Sequence, residues 1–174
     1  GTDKLKETVM IRGVHHVSIS TNNHERLVGF YRDLIGLPFA TSFDWEAGNE
    51  VADRCVGLRD SAVKTALLRA GNTFVEIFEY TNPPGAEGDP NPRACDPGLT
   101  HICFDVVDIE GEYARLSAAG VEFHTEPVEI GGIVKATYGR DPDGNIFEMQ
   151  EVIGKDLPMD IKVVVPDVEQ RGIQ

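Results

Sequence analysis

The sequence has no long apolar run and little positive charge. It lacks the roughly 18 consecutive apolar residues of a membrane-spanning helix, and its first ten residues, GTDKLKETVM, lack the apolar region of a secretory signal. Its 16 Lys and Arg residues face 29 Asp and Glu residues, which gives a net charge of −13. Such a charge repels nucleic-acid phosphates and anionic lipid headgroups. We therefore expect a cytoplasmic protein that binds neither nucleic acid nor membranes.

Cysteine is also scarce. The three cysteines, Cys55, Cys95 and Cys103, are odd in number and show no C-x-x-C spacing, which argues against a disulfide framework and against a thiolate zinc site. We expect reduced thiols. The length of 174 residues, with 41% apolar and 26% charged residues, fits one packed domain or two small modules and excludes wholesale disorder.

A weak internal repeat is present. The run VHHVSIS, the amphipathic segment LVGFYRDLI and the turn GLPF are matched later by LTHICFDV, ARLSAA and GVEF. Asn22, with Glu25 three residues later, predicts the N-terminal cap of the first helix, and Gly36 predicts its C-terminal end. Each half then continues into two further strand-like runs, TALLRA and NTFVEIFEY in the first and IVKATYG and NIFEMQEV in the second. The pattern predicts an α+β fold with two tandem βαβββ modules, over residues 10–82 and 98–152.

The remaining segments have no counterpart in the repeat. Residues 83–97 are rich in proline and are predicted to form a linker between the modules. The stretch FDWEAGNEVADRCVGLRD is an insertion in the first half, with some helical character. For the tail, residues 153–174, docking on a second subunit and simple disorder are left open.

Four polar residues take equivalent positions in the two halves. His16 and His101 lie in the first strand of each half, and Glu76 and Glu148 lie in the last, all with apolar neighbours. A carboxylate among buried neighbours is costly unless it is paired or binds a cation. One divalent metal ion would compensate both glutamates, and the set of two His and two Glu suits Ni²⁺, Co²⁺, Zn²⁺, Mn²⁺ or Fe²⁺.

Other candidates are weaker. Glu79 competes with Glu76, but it has the opposite strand parity, so we prefer Glu76. For Cys103, two residues after His101, ordinary packing is the favoured interpretation. Aromatic side chains could supply apolar walls for a substrate: Phe43, Trp45, Phe74 and Phe78.

A family resemblance rests on the same residues. The openings GVHHVSIS and GLTHICFDV, the strand FVEIF and the ending GRDPDGNIFEMQE resemble the vicinal oxygen chelate superfamily, and most closely its glyoxalase I-like members, over residues 12–152. The resemblance implies a cupped, barrel-like sheet around one metal ion and a homodimer, since superfamily members commonly complete their sites across two chains. Whether this site lies within one chain or across two is left open. The matching metal positions are His16, Glu76, His101 and Glu148.

The ligand count suggests a reaction. Four protein ligands on a six-coordinate metal leave two positions, which favours proton transfer beside a bound carbonyl, and hence a lyase or isomerase acting on a small oxygenated or thioester substrate. By resemblance, Glu76 and Glu148 are the candidate catalytic bases. An Fe²⁺-dependent extradiol-type dioxygenase, which usually has three protein ligands, and a metal-free drug-binding protein stay open as alternatives.

Overall fold

The computed structural model describes residues 11–168. Residue 10, at the predicted start of the first module, and residues 169–174 of the predicted tail lie outside the described residues.

The first half forms a four-stranded sheet with the order β1-β4-β3-β2. Strands β1 and β4 are parallel, and the other pairs are antiparallel. The elements in chain order are β1 (His16–Ser20), α1 (His24–Gly29) with a π-helical continuation (Phe30–Ile35), β2 (Phe39–Thr41), α2 (Glu50–Val56), β3 (Ala62–Arg69) and β4 (Phe74–Asn82).

The second half repeats this topology with the strand order β5-β8-β7-β6. Its elements are β5 (His101–Asp105), α3 (Ile109–Ala118), β6 (Val128–Ile130), β7 (Val134–Arg140) and β8 (Ile146–Val152). The predicted α+β class and the tandem βαβββ repeat are confirmed. Over residues 11–168 the strands form two separate cupped sheets, which are not closed into one barrel.

Helix α1 begins one residue later than the expected cap. The sequence suggests Asn22, but the side chain of Asn23 accepts the hydrogen bond from the Arg26 amide at 3.1 Å, and Asn22 instead donates to the carbonyl of Ala86. The α1 segment ends where predicted, because Gly36 adopts a left-handed conformation with φ of 95°.

The helices of both modules share one core. The fully buried side chains Leu27 and Tyr31 of the α1 segment and Ile109 and Leu116 of α3 belong to one cluster with residues of both sheets. The rings of Phe30 and Phe147 meet across the modules at 5.9 Å. Since the shared core lies on the helix side of each sheet, the opposite face of each sheet is left open.

The turn after β7 holds the two modules together. Asp141 accepts hydrogen bonds from the Tyr31 hydroxyl at 2.8 Å and from the Asn145 amide at 2.9 Å, and Asp143 accepts from Thr21 and Arg26. Burial raises the pKa of Asp141 above its ordinary value, although its hydrogen bonds act in the opposite direction. The folded chain therefore holds this proton more tightly than the unfolded chain, and stability from this group falls as the pH rises through the raised pKa.

The insertion and the tail both have defined structure. Part of the insertion forms helix α2, as expected. The tail runs along its own module, where the amides of Ile153 and Gly154 donate to the carbonyl of Ile133. Its apolar segment contains a short 3-10 helix (Ile161–Val163), and Val165 is buried. Among the described residues, no helix has both the length and the apolar character needed to cross a membrane.

We predict that Tyr31→Phe lowers the free energy of unfolding by about 1–3 kcal/mol, because it removes a donor from the buried Asp141 carboxylate. The shift of the urea midpoint measures this loss. The matched control is Tyr113→Phe, since the Tyr113 hydroxyl has no hydrogen-bond partner recorded within residues 11–168 and its ring contacts Phe123. Equal losses in both variants would contradict the role of the Tyr31–Asp141 bond.

Candidate functional site

The first His–Glu pair lies on the open face of the first sheet. Strands β1 and β4 pair in parallel, with Ser18 opposite Glu76. Because His16 precedes Ser18 by two residues, His16 and Glu76 lie on the same face of adjacent strands. His16 Nε2 lies 3.4 Å from Glu76 Oε2. Glu76 is 6% exposed, whereas His16 is exposed. The carboxylate is therefore set into the sheet, and the imidazole lies over it.

The second pair repeats this geometry. Pairing of β5 with β8 sets Cys103 opposite Glu148, and His101 Nε2 lies 3.1 Å from Glu148 Oε2. The side chain of Glu148 is 14% exposed. The two halves therefore also share a short distance between the imidazole Nε2 and the carboxylate Oε2, 3.4 Å in the first half and 3.1 Å in the second.

The four residues do not meet in one chain. Within residues 11–168, no group of three or more His, Cys, Asp or Glu side chains is close enough to hold one metal ion. The physical reason is the shared helix-side core, which leaves each pair on the open face of its own sheet. One chain therefore carries two half-sites, and the expectation that sites are completed across two chains stays a prediction.

Both carboxylates lack a strong cationic partner. Glu76 is nearly buried, and its partners on the neighbouring strands are Ser18 and the buried Leu67. The partners of Glu148 are Cys103 and Tyr138. In the described part of the chain, the ion pairs of these carboxylates are those with the histidines. An ionised carboxylate in such a position needs further compensation, and a divalent cation supplies it.

Each histidine is oriented by the residue before it. His15 Nδ1 lies 2.8 Å from His16 Nδ1, and the Thr100 hydroxyl oxygen lies 3.0 Å from His101 Nδ1. With Nδ1 engaged, Nε2 is the nitrogen directed at the carboxylate, an arrangement typical of metal-ligating imidazoles. Strand parity predicts that His15 points to the opposite face from His16, which misses this contact because β1 begins only at His16.

Tyr138 is a further residue of the second half-site. It pairs directly with Glu148 across β7 and β8, and its ring lies 5.0 Å from that of His101. Partial burial raises the pKa of Tyr138, and the negative charge of Glu148 raises it further. Only the strand register could have identified this residue, and the register was not available from the sequence.

Glu79 has a different role from Glu76. Its carboxylate accepts a hydrogen bond from the amide of His24 at 2.8 Å, at the start of α1. Glu151, the equivalent residue of the second module, accepts from the amide of Ile109 at 3.1 Å, at the start of α3. In each module one glutamate therefore lies beside the histidine, and another, three residues later, binds the helix N-terminus.

Cys103 is not a ready thiolate. Partial desolvation, followed by the charge of the adjacent Glu148, raises its pKa to about 12. The thiol is therefore protonated at neutral pH in the chain as described. Cys103 is exposed in this chain, so the packing expected from the sequence is not seen among the described residues.

Comparison with known proteins places this geometry in a family. The family model of the Glyoxalase/Bleomycin resistance protein/Dioxygenase superfamily matches residues 13–149. The protein YaeR of Escherichia coli is 30% identical over 141 residues, which is 81% of this chain and 97% of YaeR. A 2-epi-5-epi-valiolone epimerase from an Actinomyces species is 30% identical over 121 residues, 67% of this chain and 64% of that protein.

A solved structure shares the fold. The glyoxalase family protein from Bacillus cereus superimposes with a TM-score of 0.75, at 23% identity, over 84% of this chain and 98% of that one. The chain belongs to the Glyoxalase/Bleomycin resistance protein/Dioxygenase superfamily, and the family expected from its sequence is confirmed.

We predict that replacing glutamate with glutamine has opposite effects on the free energy of unfolding at the two glutamates of β4, Glu76 and Glu79. In metal-free protein at pH 8, where an ordinary imidazole is neutral, Glu76→Gln should raise the free energy of unfolding by about 1 kcal/mol, because it removes a buried charge without a strong cation. Glu79→Gln should lower it by about 0.5 kcal/mol, because a charge leaves the N-terminus of α1. Urea midpoints measure both, and destabilisation by both substitutions would show that the Glu76 carboxylate is already compensated.

Proposed function

We propose that this chain is a divalent-metal-dependent lyase or isomerase of the glyoxalase I-like type. It would transfer a proton next to the carbonyl of a small oxygenated or thioester substrate. The observation that carries the proposal is the pair of equivalent His–Glu half-sites, each with a buried or nearly buried carboxylate. A cytoplasmic setting fits the three free cysteines of the described chain.

The donor chemistry fits a divalent cation, whereas the number of donors in one half-site does not. Each half offers one imidazole nitrogen and one carboxylate group, and both halves together offer His16, Glu76, His101 and Glu148. This nitrogen and oxygen set suits Ni²⁺, Co²⁺, Zn²⁺, Mn²⁺ or Fe²⁺. When bound, such an ion would polarise a substrate carbonyl and stabilise the charge that develops on its oxygen.

We further propose that a second copy of the chain completes the site. Strands β1 and β5, which carry the histidines, lie at the edges of their sheets, so each pairs on one side only within the described chain. In a twofold dimer, the first half-site of one chain would face the second half-site of its partner, and symmetry would generate two identical sites. The same arrangement would cover both open sheet faces.

Within that site, Glu76 and Glu148 would act as the bases. If the partner chain covers the open faces, water would be kept from both carboxylates, so a proton taken by either could be returned to the substrate and not lost to solvent. The similarity to a protein named as an epimerase agrees with this reaction class.

Subunit mixing tests the proposal. We predict that wild-type protein contains about one divalent ion per chain, and that Glu76→Gln and Glu148→Gln each lose it. If the two variants are unfolded and refolded as an equal mixture, metal content should recover to about one quarter of the wild-type value. Half of the dimers would then contain one chain of each variant, and in each of these dimers one of the two sites would carry both glutamates. Elemental analysis after desalting measures this recovery.

The control is the same two variants combined without unfolding, which should show no recovery. Stoichiometric metal in the wild type without recovery on mixing would place the site within one chain and refute the shared arrangement. Absence of stoichiometric metal from gently purified wild type would refute a metal enzyme and favour the drug-binding alternative. Oxygen consumption with Fe²⁺ and a catechol would favour the dioxygenase alternative.

A further inference from the structure

Four aromatic rings contact one another on the open face of the first sheet. Phe78 and Tyr80 come from β4, and Phe43 and Trp45 come from the segment after β2. Trp45 lies 5.9 Å from Phe78 and 6.4 Å from Tyr80, and Phe43 lies 6.1 Å from Phe78, all with steeply inclined planes. We call these four rings the aromatic wall. Phe43 is 44% exposed and the other three rings are half-buried, so the wall is partly accessible.

The aromatic wall adjoins the first half-site. Phe78 follows Glu76 by two residues and therefore shares its face of β4. Tyr80 follows two residues after Phe78 on the same face, so the rings extend along β4 away from Glu76. A compound bound at Glu76 would therefore meet these rings.

The insertion of the first module holds the wall in place. The Trp45 indole donates to the Ser61 hydroxyl at 2.9 Å, and Ser61 in turn donates to Asp53 of α2. The amide of Phe43 donates to the Thr65 hydroxyl at 2.7 Å. Because these bonds fix the rings in the free chain, little side-chain entropy would be lost when a ligand binds against them.

The wall is apolar and lies far from the positive charge on its face. Among the described residues of β1, β3 and β4 whose side chains lie on that face, the Lys or Arg residue is Arg69. It lies six residues along β3 from Val63, so the two residues are about 20 Å apart. Val63 pairs with Tyr80 at the wall. In the second module, the matching face of β5, β7 and β8 carries one aromatic ring from its strands, Tyr138. The wall is therefore specific to one side of the proposed cavity.

We infer that the substrate carries a flat unsaturated ring joined to a small oxygenated head, with the ring on the aromatic wall and the head at His16 and Glu76. This inference rests on the proposed function for the position of the head. Flat rings gain contact energy against aromatic side chains beyond the area that they bury.

The test uses Trp45, the single tryptophan of the chain, as a fluorescent reporter. Mandelate and lactate share one hydroxy-acid head and differ in a phenyl ring against a methyl group, and hexahydromandelate has a saturated ring of similar size. We predict that mandelate quenches Trp45 and binds at least about tenfold more tightly than lactate, with hexahydromandelate between them. The measurement is made on metal-free and on metal-loaded protein.

Variants identify the surface that discriminates the ligands. Phe78→Leu and the more exposed Phe43→Leu should each reduce the mandelate-to-lactate ratio by at least about threefold. Tyr113→Leu, on the helix side, should leave it unchanged. Circular dichroism checks that each variant is folded, and Phe43→Leu keeps the test valid if Phe78→Leu does not fold.

Three outcomes would overturn the inference. The first is equal affinity for mandelate and lactate, and the second is no binding of either at about 50 mM, which is about fifty times a dissociation constant of 1 mM. The third is a Trp45 that association of two copies shields from acrylamide and that mandelate does not reach. The two proposals can fail separately. Ring-dependent quenching in a protein that binds no metal would refute the proposed enzyme and leave the aromatic wall. A metal-loaded protein without ring preference would do the reverse.

Discussion

A nearly buried carboxylate with one imidazole as its ionic partner is the constraint on which the interpretation of this protein depends. Glu76 is 6% exposed, and the imidazole of His16 at 3.4 Å is its recorded ionic partner. The net charge of −13 makes the chain's own electrostatic environment unfavourable for another negative group. A buried charge that the fold does not compensate commonly marks a functional site, because stability is given up there for chemistry. The recurrence of the arrangement at Glu148 makes an accidental origin hard to sustain.

The two modules separate structural from functional carboxylates by strand parity. In β4, Glu76 faces the open side, and Glu79 faces the helix and binds the start of α1. In β8, Glu148 and Glu151 divide the same tasks. Because side chains alternate along a strand, a spacing of three residues places the two carboxylates on opposite faces. One strand can thus anchor its helix and furnish a reactive group without either task disturbing the other.

Much of this architecture was predictable from local signals. Alternating apolar residues located the strands, the repeat gave the tandem modules, and a carboxylate between apolar neighbours marked Glu76 and Glu148. The cap of α1 was wrong by one residue, because Asn22 and Asn23 are equally good caps and a contact with Ala86 decides between them. Such a contact depends on the linker, which local rules do not describe.

The arrangement of the modules was beyond sequence reasoning for a different reason. A four-residue pattern cannot tell whether two sheets enclose a common space or share a core through their helices, since both solutions bury the same apolar residues. Here Phe30 meets Phe147, and the turn at Asp141 binds Tyr31, so the helix sides face each other. The half-sites are consequently divided, and a second chain becomes the natural way to unite them.

Duplication followed by one insertion explains how a symmetric scaffold could acquire an asymmetric site. Two identical halves would offer a substrate the same surface on both sides, and a compound with two chemically different ends would gain nothing from its orientation. The segment from Phe43 to Asp60 breaks that equivalence by fixing Trp45 through Ser61 and Asp53 beside one pair and not the other. Orientation matters in proton transfer, because a carboxylate can act only on a carbon held within its reach. The insertion is therefore best understood as the element that would decide which end of a substrate meets the proposed metal ligands.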